Sequence, residues 1–125
     1  MVTRRAGFTL IELLVVLAIL GTLITIALPR YFASVERSKE AVLKENLYQM
    51  REAISRYHAD RGRYPDTLES LVADKYLRRV PLDPITESPT TWIIVPPQDA
   101  QQIGVFDVRS GAEGSGLNGT EYSQW

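Results

Sequence analysis

The sequence predicts an α+β protein: one long N-terminal α-helix, membrane-spanning in its first half and amphipathic in its second, packed on a small antiparallel β-sheet head. Three observations carry that prediction. Residues 8–28 read FTLIELLVVLAILGTLITIAL and hold one charge, Glu12. Leu43, Leu47, Met50, Ile54 and Tyr57 then recur at alternating spacings of four and three, which is one face of a helix. Two short β-rich runs, Trp92-Ile93-Ile94-Val95 and Gly104-Val105-Phe106-Asp107-Val108, come only near the end.

The bulk composition narrows the function before any motif is read. A chain of 125 residues is one domain's worth. Its 14 Lys and Arg against 15 Asp and Glu leave no basic excess, so nucleic acid is not an expected partner. Without Cys there is no disulfide, thiolate nucleophile or Cys-ligated metal, and one His excludes a multi-His site within the chain. With so small a head, a sizeable substrate pocket is not expected, and the chain does not read as an enzyme.

As a helix, residues 8–28 would measure roughly 31 Å at 1.5 Å per residue, close to the ~30 Å hydrocarbon core of a bilayer. The segment has no polar stripe, only scattered Thr9, Thr22 and Thr25. Arg4 and Arg5 precede it without any acid, which by the positive-inside rule puts the N-terminus in the cytoplasm and the rest outside. The alternative, a conventional secretory signal, has a shorter apolar run and a small-x-small cleavage site. Here the run ends in Ala27-Leu28-Pro29-Arg30, which favours a retained anchor. Glu12 lies four places into the span. A carboxylate in hydrocarbon is costly, so it is a functional candidate unless it stays wet at the interface.

No Pro or Gly occurs between residues 30 and 61, so the helix is expected from about residue 9 to about residue 60. Phe32 and Val35 begin the apolar stripe, and Glu40–Lys44 and Glu52–Arg56 sit at i,i+4. Gly21 and Pro29 weaken this helix. Either Gly21 is a small packing residue and Pro29 bends the membrane exit, or the stretch between them can loosen. Ser55, His58 and Asp60 suggest hydrolytic chemistry by residue type only, since Asp60 falls roughly 200° round the helix from His58.

Gly62-Arg63-Tyr64-Pro65 ends the helix. Asp66 or Thr67 then caps a short second helix with Leu68, Leu71 and Val72 inward. The two β-rich runs form a hairpin that must pack on the long helix, since a hairpin alone is marginal. Tyr122 and Trp125 are expected to fold back onto the head. Residues 110–123 hold four Gly and several oxygen-bearing side chains, which read as a flexible loop.

Gly7-Phe8-Thr9-Leu10-Ile11-Glu12, after a short basic leader and before an apolar run ending at Pro29, resembles the N-terminal signal of type IV pilins and pseudopilins. Gly62-Arg63-Tyr64-Pro65, the short Leu-bearing helix, Tyr76-Leu77 and Asp83-Pro84 extend the resemblance on the pseudopilin side. The resemblance implies a pilin fold, with a leader at 1–7, a transmembrane or filament-core helix at 8–28, its amphipathic continuation at 29–61 and a head at 62–125. It implies cleavage by a prepilin peptidase between Gly7 and Phe8, followed by N-methylation of Phe8. It implies that Glu12 pairs with the amine of an adjacent subunit, because two charges desolvated together favour being in register.

The implied function is structural. The chain would be a subunit of a bacterial type II secretion pseudopilus, a homopolymer built at the cytoplasmic (inner) membrane, head in the periplasm, to drive protein export. Its implied partners are minor pseudopilins, an inner-membrane platform protein and an assembly ATPase. The alternative is a type IV or competence pilin whose extracellular fibre serves adhesion, motility or DNA uptake. The resemblance also raises Ca²⁺, which the corresponding C-terminal loop binds in major pseudopilins. Candidate ligands here are Ser110, Glu113, Asn118 and Glu121 with backbone carbonyls. The sequence departs from the family in lacking its paired Asp residues.

Overall fold

The computed structural model describes residues 7–125. The leader residues Arg4 and Arg5 lie outside the described part. In chain order the elements are α1 (Leu10–Arg61), α2 (Leu68–Ala73), β1 (Ile93–Val95), β2 (Asp107–Arg109) and a 3-10 turn at Tyr122–Gln124. The chain divides into two compact units between Val35 and Glu36.

The first unit is the apolar part of α1. It is long and apolar enough to cross a membrane, and none of its most apolar stretch is buried. Its apolar side chains point outward on every side. Thr22 and Thr25 donate their hydroxyls back to the Ala18 and Gly21 carbonyls, both at 2.8 Å, so neither leaves a polar group unmatched in an apolar setting. Pro29 lies inside the helix, which continues through it. Phe32, expected to begin the buried stripe, is exposed.

In the second unit Leu43, Leu47, Met50, Ile54 and Tyr57 are all buried, as their spacing predicts, and Ala53 joins them. They pack with Leu68 and Leu71 of α2 and with Trp92, Val105, Val108, Ala112 and Tyr122. Gly62 ends α1 at φ +70°, a conformation open to Gly, and donates its N–H to the His58 carbonyl. Thr67, not Asp66, caps α2 by accepting the Ser70 N–H at 3.2 Å. Val72 is only partly buried.

β1 and β2 pair antiparallel with Ile94 opposite Val108. The second strand starts three residues later than its β-rich run suggests. The Val105 N–H goes to the Pro65 carbonyl at 2.8 Å, so this part of the run is tied to the segment after α1 instead of to β1. The first strand starts after Trp92, which is buried in the core with its indole N–H on the Pro81 carbonyl at 2.8 Å.

Candidate assembly site and C-terminal loop

Thr9 and Glu12 begin α1 as a reciprocal pair. The Glu12 N–H donates to Thr9 Oγ1 at 3.1 Å, and the Thr9 N–H donates to Glu12 Oε2 at 3.3 Å. This is a capping box, which satisfies two of the orphan donors of a helix start. The spacing Thr-x-x-Glu is legible in sequence. Phe8 is 85% exposed beside the pair, and Gly7 is exposed with open space around it. One carboxylate, the chain position next to the Gly7–Phe8 bond and a largely apolar surface thus lie close together at the helix start.

The catalytic reading of Ser55, His58 and Asp60 has no geometric support. Ser55 and His58 line one cavity, where His58 stacks on Tyr64 at 4.3 Å. Asp60 is elsewhere, accepting the Tyr76 hydroxyl at 2.8 Å. That bond to a carboxylate holds the Tyr76 hydroxyl above its usual pKa.

The four Ca²⁺ candidates are not brought together. Ser110, Glu113 and Glu121 line a cavity of about 340 Å³, whereas Asn118 lines another with Trp125. Ser110 is fully buried and donates to Asp83 Oδ2 at 2.6 Å while accepting the Ala112 N–H at 3.1 Å. Asn118 Oδ1 accepts the Thr120 N–H at 3.0 Å. Two exposed carboxylates remain where Ca²⁺ takes about six to eight oxygens. Among the described residues no three His, Cys, Asp or Glu side chains form a group able to hold a metal, and no buried side-chain oxygen lacks a partner. As they are arranged here, the four side chains do not form one ligand set for the ion.

Sequence reasoning missed Arg51. Its Nε donates to Asp107 Oδ1 at 2.8 Å, and its Nη2 donates to the Val108 and Trp125 carbonyls at 3.0 and 2.6 Å. Glu40 accepts the Leu117 N–H at 2.7 Å and the Tyr122 hydroxyl at 3.3 Å. Glu40, Lys44 and Arg51 fall within about 40° of one another on the helix, a charged stripe beside the apolar one. That spacing is the signal from which they could have been found.

Burial, then the nearby Glu40 charge, raises the Tyr122 hydroxyl pKa. A folded-state pKa above the unfolded value of about 10 means that the contribution to stability is complete below that pH. It is lost as pH rises through the folded value. Unfolding followed from neutral pH into alkali should therefore show stability falling above about pH 10, and Tyr122→Phe should flatten that fall.

The description "Prokaryotic N-terminal methylation motif" matches residues 2–28. A type II secretion system core protein G from Pseudomonas aeruginosa is 30% identical, the match spanning 98% of this chain and 96% of that protein. The chain belongs to the type II secretion system core protein G family. The core protein G of Pectobacterium carotovorum is 29% identical over 94% of this chain and 81% of its own length. A type IV major pilin protein, PilA of Myxococcus xanthus, is 41% identical over 50% of this chain but 29% of its own. No solved structure gives a significant match. As a core protein G relative, the chain is a pilin-like pseudopilus subunit, a class that forms polymeric filaments in a secretion system. None of these relatives is named as an enzyme.

Proposed function

We propose that the chain is the repeating structural subunit of a type II secretion pseudopilus, made as a membrane-inserted precursor and polymerised through its N-terminal helix to push folded cargo outward. The observation that carries this reading is a lone carboxylate, Glu12, one turn inside an otherwise uncharged and outward-facing segment at residues 8–28. A prepilin peptidase cuts between Gly7 and Phe8 on the cytoplasmic side, removing Arg4 and Arg5. The new α-ammonium on Phe8 is N-methylated. It then meets Glu12 of an adjacent subunit, and the pair sets the axial step. The role is non-catalytic. Residues 8–28 anchor the precursor in the inner membrane and later form the filament core. Residues 29–61 continue the helix into a periplasmic head at 62–125.

Filament contacts of this kind are heterologous, one patch against a different one, so they extend without closing. Minor pseudopilins, a platform protein in the inner membrane and an assembly ATPase complete the machinery. Gly21 and Pro29 bracket a stretch that can loosen when subunits leave the bilayer, since Pro29 cannot donate to the Thr25 carbonyl. Amide exchange within assembled filaments should be faster between residues 21 and 29 than in the flanking turns. Uniform protection would remove this role.

The match to a type IV major pilin favours a second reading, an extracellular pilus for adhesion, motility or DNA uptake. Cells lacking the chain separate the two. Cargo retained in the periplasm supports the pseudopilus; normal export with loss of sheared surface fibres supports the pilus.

A further inference from the structure

We infer that Glu40, Lys44 and Arg51 latch the C-terminal segment 107–125 to α1, and that this latch replaces a bound divalent cation as the device that orders the Gly-rich loop. The latch is a property of the head and holds whichever filament the subunit builds.

A segment with Gly at 111, 114, 116 and 119 loses much chain entropy on ordering, so something must offset that loss. A cation would do so by gathering oxygens. Here three of the loop's carbonyls already have donors. The Gly116 carbonyl accepts the Gly119 N–H at 3.0 Å, the Thr120 carbonyl accepts the Gly116 N–H at 2.8 Å, and the Gly114 carbonyl accepts the Tyr122 N–H at 3.1 Å.

The ordering comes from α1 instead. The Glu40 carboxylate receives the Leu117 N–H and the Tyr122 hydroxyl, bonds strengthened by its charge. Lys44 Nζ sits 4.9 Å from the centre of the Trp125 ring, which packs edge-on against Tyr122 and donates its indole N–H to the Thr120 carbonyl. Arg51 joins β2 to the Trp125 carbonyl. Gly116 makes the approach possible. A Cβ there would collide with the Trp125 ring and come within 3.0 Å of Glu40 Oε1. The negative charge that draws in the loop is therefore on the helix, not on a ligand set within the loop.

The test is hydrogen exchange and thermal unfolding of the full chain in detergent, with excess Ca²⁺ and with chelator. The wild type should unfold at the same temperature in both. Glu40→Ala should speed exchange across residues 113–122 by about tenfold or more, the effect of losing a charged acceptor, and Ca²⁺ should not reverse it. If the alanine variant fails to fold, Glu40→Gln is read in the same way, with a several-fold acceleration expected. Chelator lowering the wild-type melting temperature with recovery on adding Ca²⁺, or Glu40 variants exchanging like wild type, would overturn the inference.

Discussion

Leucine at position 12 is expected to leave the subunit membrane-inserted and its head folded while filament formation falls by about a hundredfold or more. The size follows from the environment. Once packed among apolar helices, the Phe8 ammonium of a neighbour would have no counter-charge, and breaking a buried pair by removing one partner costs about 3–5 kcal/mol. Glu12 also closes a capping box with Thr9, so leucine alone confounds two effects. Glutamine separates them. It keeps the box, which accepts Gln as well as Glu, and removes the charge. Quantifying sedimentable filaments from cells should therefore show Glu12→Gln assembling nearly as poorly as Glu12→Leu. Assembly of the glutamine variant at the wild-type rate would reduce Glu12 to a helix cap.

The largest effect on the head is expected at Asp83. It is fully buried, and its carboxylate accepts the Ser110 hydroxyl at 2.6 Å and the Ile85 and Thr86 N–H groups at 2.9 and 3.3 Å. It thereby folds the turn between α2 and β1 and ties it to the residue following β2. Alanine would strand three donors, a buried hydroxyl among them, at a cost of about 4 kcal/mol. Domains of this size are stable by only about 5–15 kcal/mol, and each kcal/mol shifts the melting temperature by about 4–8 °C, so a fall of roughly 20 °C is expected. Ser110→Ala, which takes one donor from Asp83 Oδ2 and strands the Ala112 N–H but leaves the two turn bonds to Asp83 in place, should cost less, roughly half as much. Tryptophan fluorescence of the full chain during heating reads this through buried Trp92. An Asp83→Ala protein melting within a few degrees of wild type would contradict the account.

What was legible in the sequence was what periodicity and punctuation encode. The apolar span, the stripe from Leu43 to Tyr57 and the stop at Gly62 appear because one side-chain period repeats over many residues. Phe32 misled because the pattern alone does not tell which apolar face finds a partner. The strand edges were illegible because Val105 spends its N–H on Pro65, a partner far away in the chain. Asp83 could be noticed beside Pro84, but its role depends on Ser110, 27 residues on. The arrangement of the C-terminal loop was illegible for the same reason: oxygen-bearing residues can be counted in sequence, but which oxygens are already taken is a property of the fold. Glu12 was the opposite case. Its isolation in an apolar run is local, and so is the box with Thr9.

The central claim is that trimming exposes an amine on Phe8 beside its carboxylate partner. It is tested most directly by the intact mass and N-terminal sequence of the chain recovered from native membranes. The account predicts a start at Phe8 carrying one extra methyl group. A chain that retains Met1, or one cut beyond Leu28, would contradict it.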